Sequence, residues 1–165
     1  MLFSFVIPCY NSGKTIRKVV ELTIQEMQKL GYNNLQFVLI NDCSNDGGKT
    51  YNELRELAQT YKNVKVIDLA TNAGQHNATL AGLNYTDGDI IISMDDDMQT
   101  HPSQLKILLD EFFKGYDIVY GYYHHKKHNL LRNFGSWINN NTVKMLIGKP
   151  KGLRTSSYWV IRKFV

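Results

Sequence analysis

The sequence has few of the residues that mark secreted, fibrous or membrane-spanning chains. It has only two cysteines and three prolines among 165 residues, which excludes a disulfide-rich scaffold and indicates a reducing, cytoplasmic compartment. No run approaches 18 consecutive apolar residues, so no segment is predicted to span a membrane. The N-terminal MLFSFVIP is short and lacks a basic leader, so we do not expect a signal peptide. The composition, 43% hydrophobic and 21% charged, predicts one globular domain over residues 1–165.

Acidic residues are absent from the C-terminal part of the sequence. Residues 118–165 contain nine Lys and Arg and no Asp or Glu, a balance of +9, whereas residues 1–117 contain ten basic and fifteen acidic residues, a balance of −5. All carboxylate chemistry must therefore come from the first 117 residues. The basic part can attract phosphates, anionic lipid or nucleic acid; the alternative is a solvated basic surface.

Glycine-rich phosphate loops are also missing. Residues 12–15 read Ser-Gly-Lys-Thr, as at the end of a P-loop, but that motif needs a glycine where this sequence has Pro8. The three spaced glycines of a dinucleotide-binding fold do not follow the first predicted strand either. Neither class of nucleotide site is expected.

Apolar runs and helical spacings alternate along the chain. Continuous apolar runs predict strands over residues 3–8, 35–40, 64–69, 90–94, 118–120 and 158–161. Apolar residues at helical spacing predict helices over residues 14–30, 50–61, 77–85, 104–113 and 130–147. This alternation indicates an α/β fold with a mostly parallel sheet covered by helices. Ligands bind such sheets beyond the carboxyl ends of the strands, so the loops after the first four strands are the candidate site.

Three adjacent carboxylates, Asp95, Asp96 and Asp97, follow the fourth predicted strand, and Gln99 comes two residues later. Two such charges about 4 Å apart repel by roughly 1 kcal/mol even in water, and a cation relieves this repulsion. Carboxylate and amide oxygens suit Mg²⁺ or Mn²⁺, which also keep waters and substrate phosphates. Because alternate side chains of an extended segment face the same way, we predict that Asp95, Asp97 and Gln99 share a metal–diphosphate site. The alternative is a solvated acidic turn or helix cap.

Polar residues follow the other three strands as well. Asp42 can accept a hydrogen bond from a base or a ribose, or it can make an Asx turn or helix cap. Tyr10 can stack on a base, or it can be a buried tyrosine at the sheet edge. The loop over residues 72–76 has small residues that allow a ligand to approach, and the helix after it presents N–H groups suited to an anion.

Together these loops resemble those of the family 2 glycosyltransferases, whose GT-A fold binds nucleotide sugars. The resemblance covers residues 2–121 and rests on four segments in the family's order: FVIPCYNSGKTI, VLINDCSNDGG, TNAGQHNATLAGLNYTDGD and MDDDMQTHP. The D-x-D-x-Q form of the acidic segment and the GQHNA segment resemble the polyprenyl-phosphate glycosyltransferases, of the dolichol-phosphate mannose synthase type. The resemblance implies a three-layer α/β sandwich around a mostly parallel, Rossmann-like sheet.

The resemblance also implies a role for each matched residue. Asp97 is the catalytic residue and, with Gln99 and Asp95, holds Mg²⁺ or Mn²⁺. The nucleotide-binding residues are Pro8, Tyr10, Ser12, Asp42, Asn72, Gln75, Asp95 and Asp96. Three positions depart from the family's pattern: Ser12 replaces a common acid, Asn41 the first Asp of a usual pair, and Tyr122 an Arg of several relatives. These departures leave open whether the donor is linked to UDP or GDP.

The implied reaction is the inverting transfer of a sugar from a nucleotide-diphospho-sugar, with the metal stabilising the leaving diphosphate. A hydroxyl acceptor normally needs a carboxylate base, and the acid-free part of the sequence offers none. A lipid phosphate is already an anionic nucleophile. We therefore expect a polyprenyl-phosphate acceptor, with Lys126, Arg132 and Arg154 holding its phosphate or the leaving diphosphate. A saccharide hydroxyl in cell-surface polysaccharide synthesis is the alternative.

Relatives of this type continue beyond the length of this chain into amphipathic and transmembrane segments. We therefore expect a C-terminally truncated chain whose full-length form works at the cytoplasmic face of a membrane; a fragment that binds the donor without turnover is a further alternative. A sugar nucleotidyltransferase would need a Gly-rich, Arg-containing loop in place of residues 8–11. A nucleic-acid-binding module, whose affinity would fall steeply with salt, is the last rival, and we expect no nucleic-acid partner.

Overall fold

The computed structural model describes residues 1–121 and 155–163. The chain divides into two compact units, the first formed by Met1–Tyr120 with Ser157–Val165 and the second by Gly121–Ser156. The predicted helix over residues 130–147 and the three predicted phosphate-binding residues Lys126, Arg132 and Arg154 lie outside the described residues. The sheet and its helices belong to the first unit.

The first unit is an α/β fold built on a six-stranded sheet. Its elements are β1 (Phe3–Cys9), α1 (Ile16–Lys29), β2 (Leu35–Asn41), α2 (Lys49–Thr60), β3 (Val64–Asp68), α3 (Gln75–Leu83), β4 (Ile90–Ser93), a 3₁₀ turn (Pro102–Gln104), α4 (Leu105–Phe112), β5 (Ile118–Tyr120) and β6 (Trp159–Arg162). The strand order is β3-β2-β1-β4-β6-β5. Strand β6 runs in the opposite direction to the other five strands. The predicted fold class is confirmed, and the predicted elements within the described residues are found with ends shifted by at most two residues.

Apolar side chains cover both faces of the sheet. On one face, Val6, Val38 and Ile40 form a buried cluster with Ala78 of α3. On the other face, Phe5 of β1 stacks on its cross-strand neighbour Phe37. Helices α1, α2 and α4 each bury an apolar stripe, and α1 contacts both of the others. Burial of the central strands on both faces explains their continuous apolar sequences. No helix among the described residues is both long and apolar enough to cross a membrane.

Strand β1 continues through Pro8, where the sequence pattern predicts its end. The backbone groups of alternate residues face opposite neighbours: the Val6 carbonyl accepts from the Met94 N–H, and the Cys9 carbonyl accepts from the Asp42 N–H. Pro8 therefore faces the β4 side, beyond Val6, the last β1 residue paired with β4. The missing N–H of proline costs no ladder hydrogen bond there.

Glycine at position 82 lets α3 lie close to the sheet. A Cβ at Gly82 would stand 2.6 Å from Ile40 Cδ1 and 2.8 Å from Val6 Cγ1. Contacts this short require the neighbouring side chains to move, so a larger residue would lift the helix from the cluster around Ala78. Helix α3 packs on β1 and β2. Its first residue, Gln75, follows the loop at the edge of the sheet where these strands end.

At the opposite edge, a turn between α3 and β4 satisfies two buried polar side chains at the strand starts. The Ser4 hydroxyl donates to the Gln36 side-chain carbonyl, which also accepts from the Asp87 N–H at 2.8 Å. The Gln36 amide and the Lys65 ammonium each donate to the Asp87 carboxylate at 2.6 Å. The hydrogen bond from Lys65, and then that from Gln36, holds the pKa of Asp87 below its usual value.

Replacement of Asp87 by Asn is expected to lower the melting temperature at neutral pH more than at low pH. A lowered folded-state pKa means that the ionised carboxylate stabilises the fold above about pH 4 and that this contribution disappears as the pH falls through the folded-state value. The check is a series of thermal melts from pH 7 to pH 2.5. Asp110→Asn, which removes an exposed pair with Lys106 on α4, is the control. A pH-independent difference for Asp87→Asn would contradict this account.

Candidate functional site

The loops after β1, β2, β3 and β4 meet at one edge of the sheet because the first three strands end in register. Cys9 pairs with Asn41, and Asn41 pairs with Asp68. The next backbone groups continue the same pattern, with the Asp42 N–H donating to the Cys9 carbonyl and the Leu69 N–H donating to the Asn41 carbonyl. The parallel register therefore brings the four sequence-predicted loops together.

Asparagine side chains join the loops after β1 and β2. The Asn11 amide donates to the Asn45 side-chain oxygen at 2.8 Å, and the Asn45 N–H donates back to the Asn11 side-chain oxygen at 3.0 Å. Asn11 has a φ of 58°, a left-handed conformation that asparagine tolerates better than most residues. The sequence pattern gave these two residues no role, and the structure shows that they hold the loop carrying Tyr10 and Ser12.

Asn41 is a buried junction between β2, β3 and the loop that follows β2. Its side chain donates to the Asp68 carboxylate at 2.7 Å and accepts from the Ser44 hydroxyl at 2.6 Å and from the Ser44 N–H at 3.2 Å. An aspartate at this position would set a second carboxylate against Asp68 in a site that is only 4% exposed. The neutral asparagine at position 41 therefore avoids a like charge beside Asp68.

Asp42 fixes the loop that leads into α3. Its carboxylate is 3% exposed and accepts from the Ala73 N–H at 2.7 Å and from the Gly74 N–H at 3.0 Å. The Asn72 amide donates to the Asp42 backbone carbonyl at 3.1 Å. These bonds end the loop at Gly74, and α3 begins at Gln75, two residues before its predicted start. Within the described residues, the Asp42 carboxylate accepts these two hydrogen bonds, one on each oxygen.

Residues 95–99 form the loop after β4, here called the acidic loop. Each of its three carboxylates accepts hydrogen bonds from a different set of donors. Asp95 accepts from the Gln75 amide at 2.5 Å and from the Ser157 hydroxyl at 2.7 Å. Asp96 accepts from the Tyr10 N–H at 3.1 Å and from the Ser12 hydroxyl. Asp97 is exposed to solvent and accepts only from the Gln99 N–H, at 2.9 Å, among the described residues.

Asp96 lies in an environment that disfavours the ionised form of its carboxyl group. Burial raises the pKa of Asp96, and the nearby Asp97 charge adds to the rise, whereas the hydrogen bonds from Ser12 and Tyr10 oppose it. Ser12 is 4% exposed and supplies a hydroxyl donor. An acid at position 12 would place another negative charge beside Asp96. Ser12, like Asn41, is thus a neutral donor beside a carboxylate.

The donor set suits a metal ion that is only partly enclosed by protein. No three His, Cys, Asp or Glu side chains converge on one point within residues 1–121 and 155–163. Asp97 and Gln99 are both exposed, and one oxygen of Asp97 accepts no hydrogen bond from the described part of the chain. An open pair of oxygen donors fits Mg²⁺ or Mn²⁺, which keep several waters and bind substrate phosphates.

The remaining predicted residues lie around these loops. Pro8 is buried in β1, whereas Tyr10 is 47% exposed and offers its ring to a ligand. Cys9 is buried, and burial raises the pKa of its thiol well above the usual value, so it is protonated and unreactive. Cys43 is exposed, and both cysteines are free.

The site residue that the sequence pattern missed is Ser157. It stands 62 positions after Asp95 in the sequence, and a lone serine before a short apolar run carries no signal by itself. Only the pairing of β6 with β4 brings it to the acidic loop. The structure thus joins Tyr10 and Ser12 to Asp96, Asn72 to Asp42, and Gln75 to Asp95.

Relatives with assigned names include two bacterial enzymes. The chain is 33% identical over 145 residues to the undecaprenyl-phosphate 4-deoxy-4-formamido-L-arabinose transferase of Shewanella sediminis, covering 88% of this chain and 43% of the relative. The enzyme of the same name from Pectobacterium atrosepticum is 30% identical over 156 residues, covering 94% and 46%. The chain therefore spans less than half the length of these curated relatives.

Solved structures share the fold at low identity. A glucosyl-3-phosphoglycerate synthase from Mycobacterium tuberculosis, in complex with Mn²⁺, UDP and glucosyl-3-phosphoglycerate, superposes with a TM-score of 0.70 at 16% identity, covering 99% of this chain and 57% of that chain. The mannosyltransferase PcManGT from Pyrobaculum calidifontis, in complex with GDP-Man and Mn²⁺, gives 0.60 at 19% identity, covering 97% and 44%. These structures support the GT-A fold.

The family model described as glycosyl transferase family 2 matches residues 4–165, almost the whole chain. The loops on which the sequence resemblance rests are the same loops that meet at the edge of the sheet. The chain belongs to the family 2 glycosyltransferases.

Proposed function

We propose that this chain is the donor-binding catalytic domain of an inverting glycosyltransferase, which moves a sugar from a UDP- or GDP-linked donor to a polyprenyl phosphate. The observation that carries the proposal is the exposed Asp97 carboxylate at the edge where four loops meet, one oxygen of which accepts no hydrogen bond from residues 1–121 or 155–163. An open carboxylate at the carboxyl end of a central strand is where an α/β sheet binds ligands.

The nucleoside is proposed to lie against Tyr10. Tyr10 is 47% exposed, and its backbone N–H is held by Asp96, so the backbone that carries the ring is already fixed when a base stacks on it. Asp42, whose carboxylate is held by the Ala73 and Gly74 N–H groups in the same group of loops, is proposed to accept a hydrogen bond from a base N–H. Pro8, Ser12 and Asn72 support these loops in this proposal.

The diphosphate is proposed to bind between the acidic loop and the start of α3. Asp97 and Gln99 hold the metal ion, with Asp95 beside them. When bound, Mg²⁺ or Mn²⁺ neutralises the charge that develops on the leaving diphosphate. Gln75, as the first residue of α3, lies where the helix dipole favours negative charge.

The acceptor is proposed to be a lipid phosphate. A phosphate oxygen is already anionic and can attack the donor sugar without losing a proton to a base, and residues 118–165 contain no Asp or Glu. The names of the relatives from Shewanella sediminis and Pectobacterium atrosepticum include undecaprenyl phosphate, which supports this choice. Lys126, Arg132 and Arg154 remain the predicted phosphate-binding residues, and the full-length protein is proposed to act at the cytoplasmic face of a membrane.

Mn²⁺ is expected to strengthen nucleotide binding, and the variant Asp97→Ala removes the open metal ligand. The ratio of the Kd in EDTA to the Kd in Mn²⁺ is therefore expected to fall by at least about 10-fold in this variant. Isothermal titration of UDP and GDP, each with Mn²⁺ and with EDTA, measures this ratio. Asp110→Ala, which changes an exposed carboxylate on α4, is the control. An unaltered metal dependence in Asp97→Ala would exclude the proposed metal site.

Transfer is expected to require the phosphate of the acceptor. Incubation with a radiolabelled nucleotide sugar and undecaprenyl phosphate should give a labelled lipid, whereas undecaprenol should give none, because residues 118–165 contain no Asp or Glu that could take the proton of its hydroxyl. The same assay on the full-length protein covers the part of the relatives' length that this chain does not span. Labelling of undecaprenol or of an added oligosaccharide would favour a hydroxyl acceptor instead.

A further inference from the structure

Asp95 is held from two sides by side chains that come from distant parts of the chain. The Gln75 amide, at the start of α3, donates to one carboxylate oxygen at 2.5 Å. The Ser157 hydroxyl, two residues before β6, donates to the other oxygen at 2.7 Å. A carboxylate with a donor on each oxygen has little freedom to rotate, and about two of its four acceptor positions remain open.

The pairing of β4 with β6 places Ser157 opposite Asp95. These strands are antiparallel, and the pair at this end of the ladder is Ser93 with Trp159. Two residues beyond the end of β4 and two residues before the start of β6, the same register sets Asp95 opposite Ser157. Residues directly opposite each other in an antiparallel pair have neighbouring side chains. A slip of one residue would bring Ser156 or Tyr158 to this position instead.

We propose that Ser157 is a positioning residue, which together with Gln75 holds the Asp95 carboxylate in the orientation needed beside the metal–diphosphate group. This inference rests on the proposed function. Ser157 acts through Asp95 and needs no contact with the substrate. Fixing a ligand side chain before binding removes the cost of ordering it at the moment of binding, so the hydroxyl is expected to strengthen metal-dependent nucleotide binding specifically.

The test is isothermal titration of Mn²⁺ with UDP and with GDP, and of each nucleotide in EDTA, on the whole chain. The measured quantity is the ratio of the Kd in EDTA to the Kd in Mn²⁺. For Ser157→Ala this ratio is expected to fall by about 10-fold, the scale of a lost hydrogen bond to a charged group, while the Kd in EDTA stays unchanged. Ser157→Thr keeps the hydroxyl and is expected to restore the ratio.

Ser156→Ala is the matched control, because the neighbouring hydroxyl donates to the Gly121 carbonyl at 2.6 Å. It should leave the ratio unchanged. If Ser157→Ala does not fold, Ser157→Cys takes its place with the same expectation, since a thiol of similar size is a weak donor.

Three results would overturn the inference. The first is a wild-type ratio in Ser157→Ala, and the second is a loss of the ratio in both Ser157→Ala and Ser157→Thr. The third is an equal loss of affinity in EDTA and in Mn²⁺, which would mean that Ser157 only stabilises the loops. If the wild-type chain itself binds neither nucleotide in a Mn²⁺-dependent way, the proposed function fails, and the inference fails with it.

Discussion

Each carboxylate of the acidic loop needs its own hydrogen-bond donors, because three adjacent negative charges repel one another and two of the three are half-buried. At about 4 Å the repulsion is roughly 1 kcal/mol per pair in water and larger near protein. The structure meets this constraint by separating the side chains. Asp96 faces Tyr10 and Ser12 after β1, and Asp95 faces donors from α3 and from the segment before β6. Only Asp97 remains open to solvent.

The same constraint extends to the residues around the loop. Positions 12 and 41 carry a serine and an asparagine, and the two side chains donate hydrogen bonds to Asp96 and Asp68 respectively. Neutral donors at these two positions satisfy Asp96 and Asp68 and avoid additional repulsion. In this arrangement Asp97 is the carboxylate of the acidic loop that is most open to a cation. The packing of the loops thereby leaves an exposed carboxylate for the proposed metal ion.

Much of the fold follows directly from the sequence. Continuous apolar runs mark β1, β2 and β4 because both faces of these strands are buried, and helical spacing marks α1 because one face packs on the core. The ends of elements are less predictable. Pro8 lies inside β1 since its nitrogen faces a side where the partner strand has already ended, and α3 begins early because Asp42 fixes the preceding turn.

The site was predictable where its residues follow strand ends and unpredictable where they come from remote pairings. Asp95, Asp97 and Gln99 could be recognised because they follow an apolar strand, whereas Ser157 depends on the register of β6 against β4. Asn11 and Asn45 form a reciprocal pair whose partners are set by loop conformation, including the left-handed backbone of Asn11. No local pattern encodes such contacts, because they exist only once the sheet has formed.

The most direct test of the central claim is calorimetric binding of UDP, GDP and CDP to the unaltered chain, each with Mn²⁺ and with EDTA. The account predicts that UDP or GDP binds, that its affinity is higher with Mn²⁺, and that CDP binds more weakly. This result would place a nucleotide–metal site at the edge of the sheet where Asp97 is exposed. Equal affinity for each nucleotide with Mn²⁺ and with EDTA, or no binding of any of them, would contradict the account.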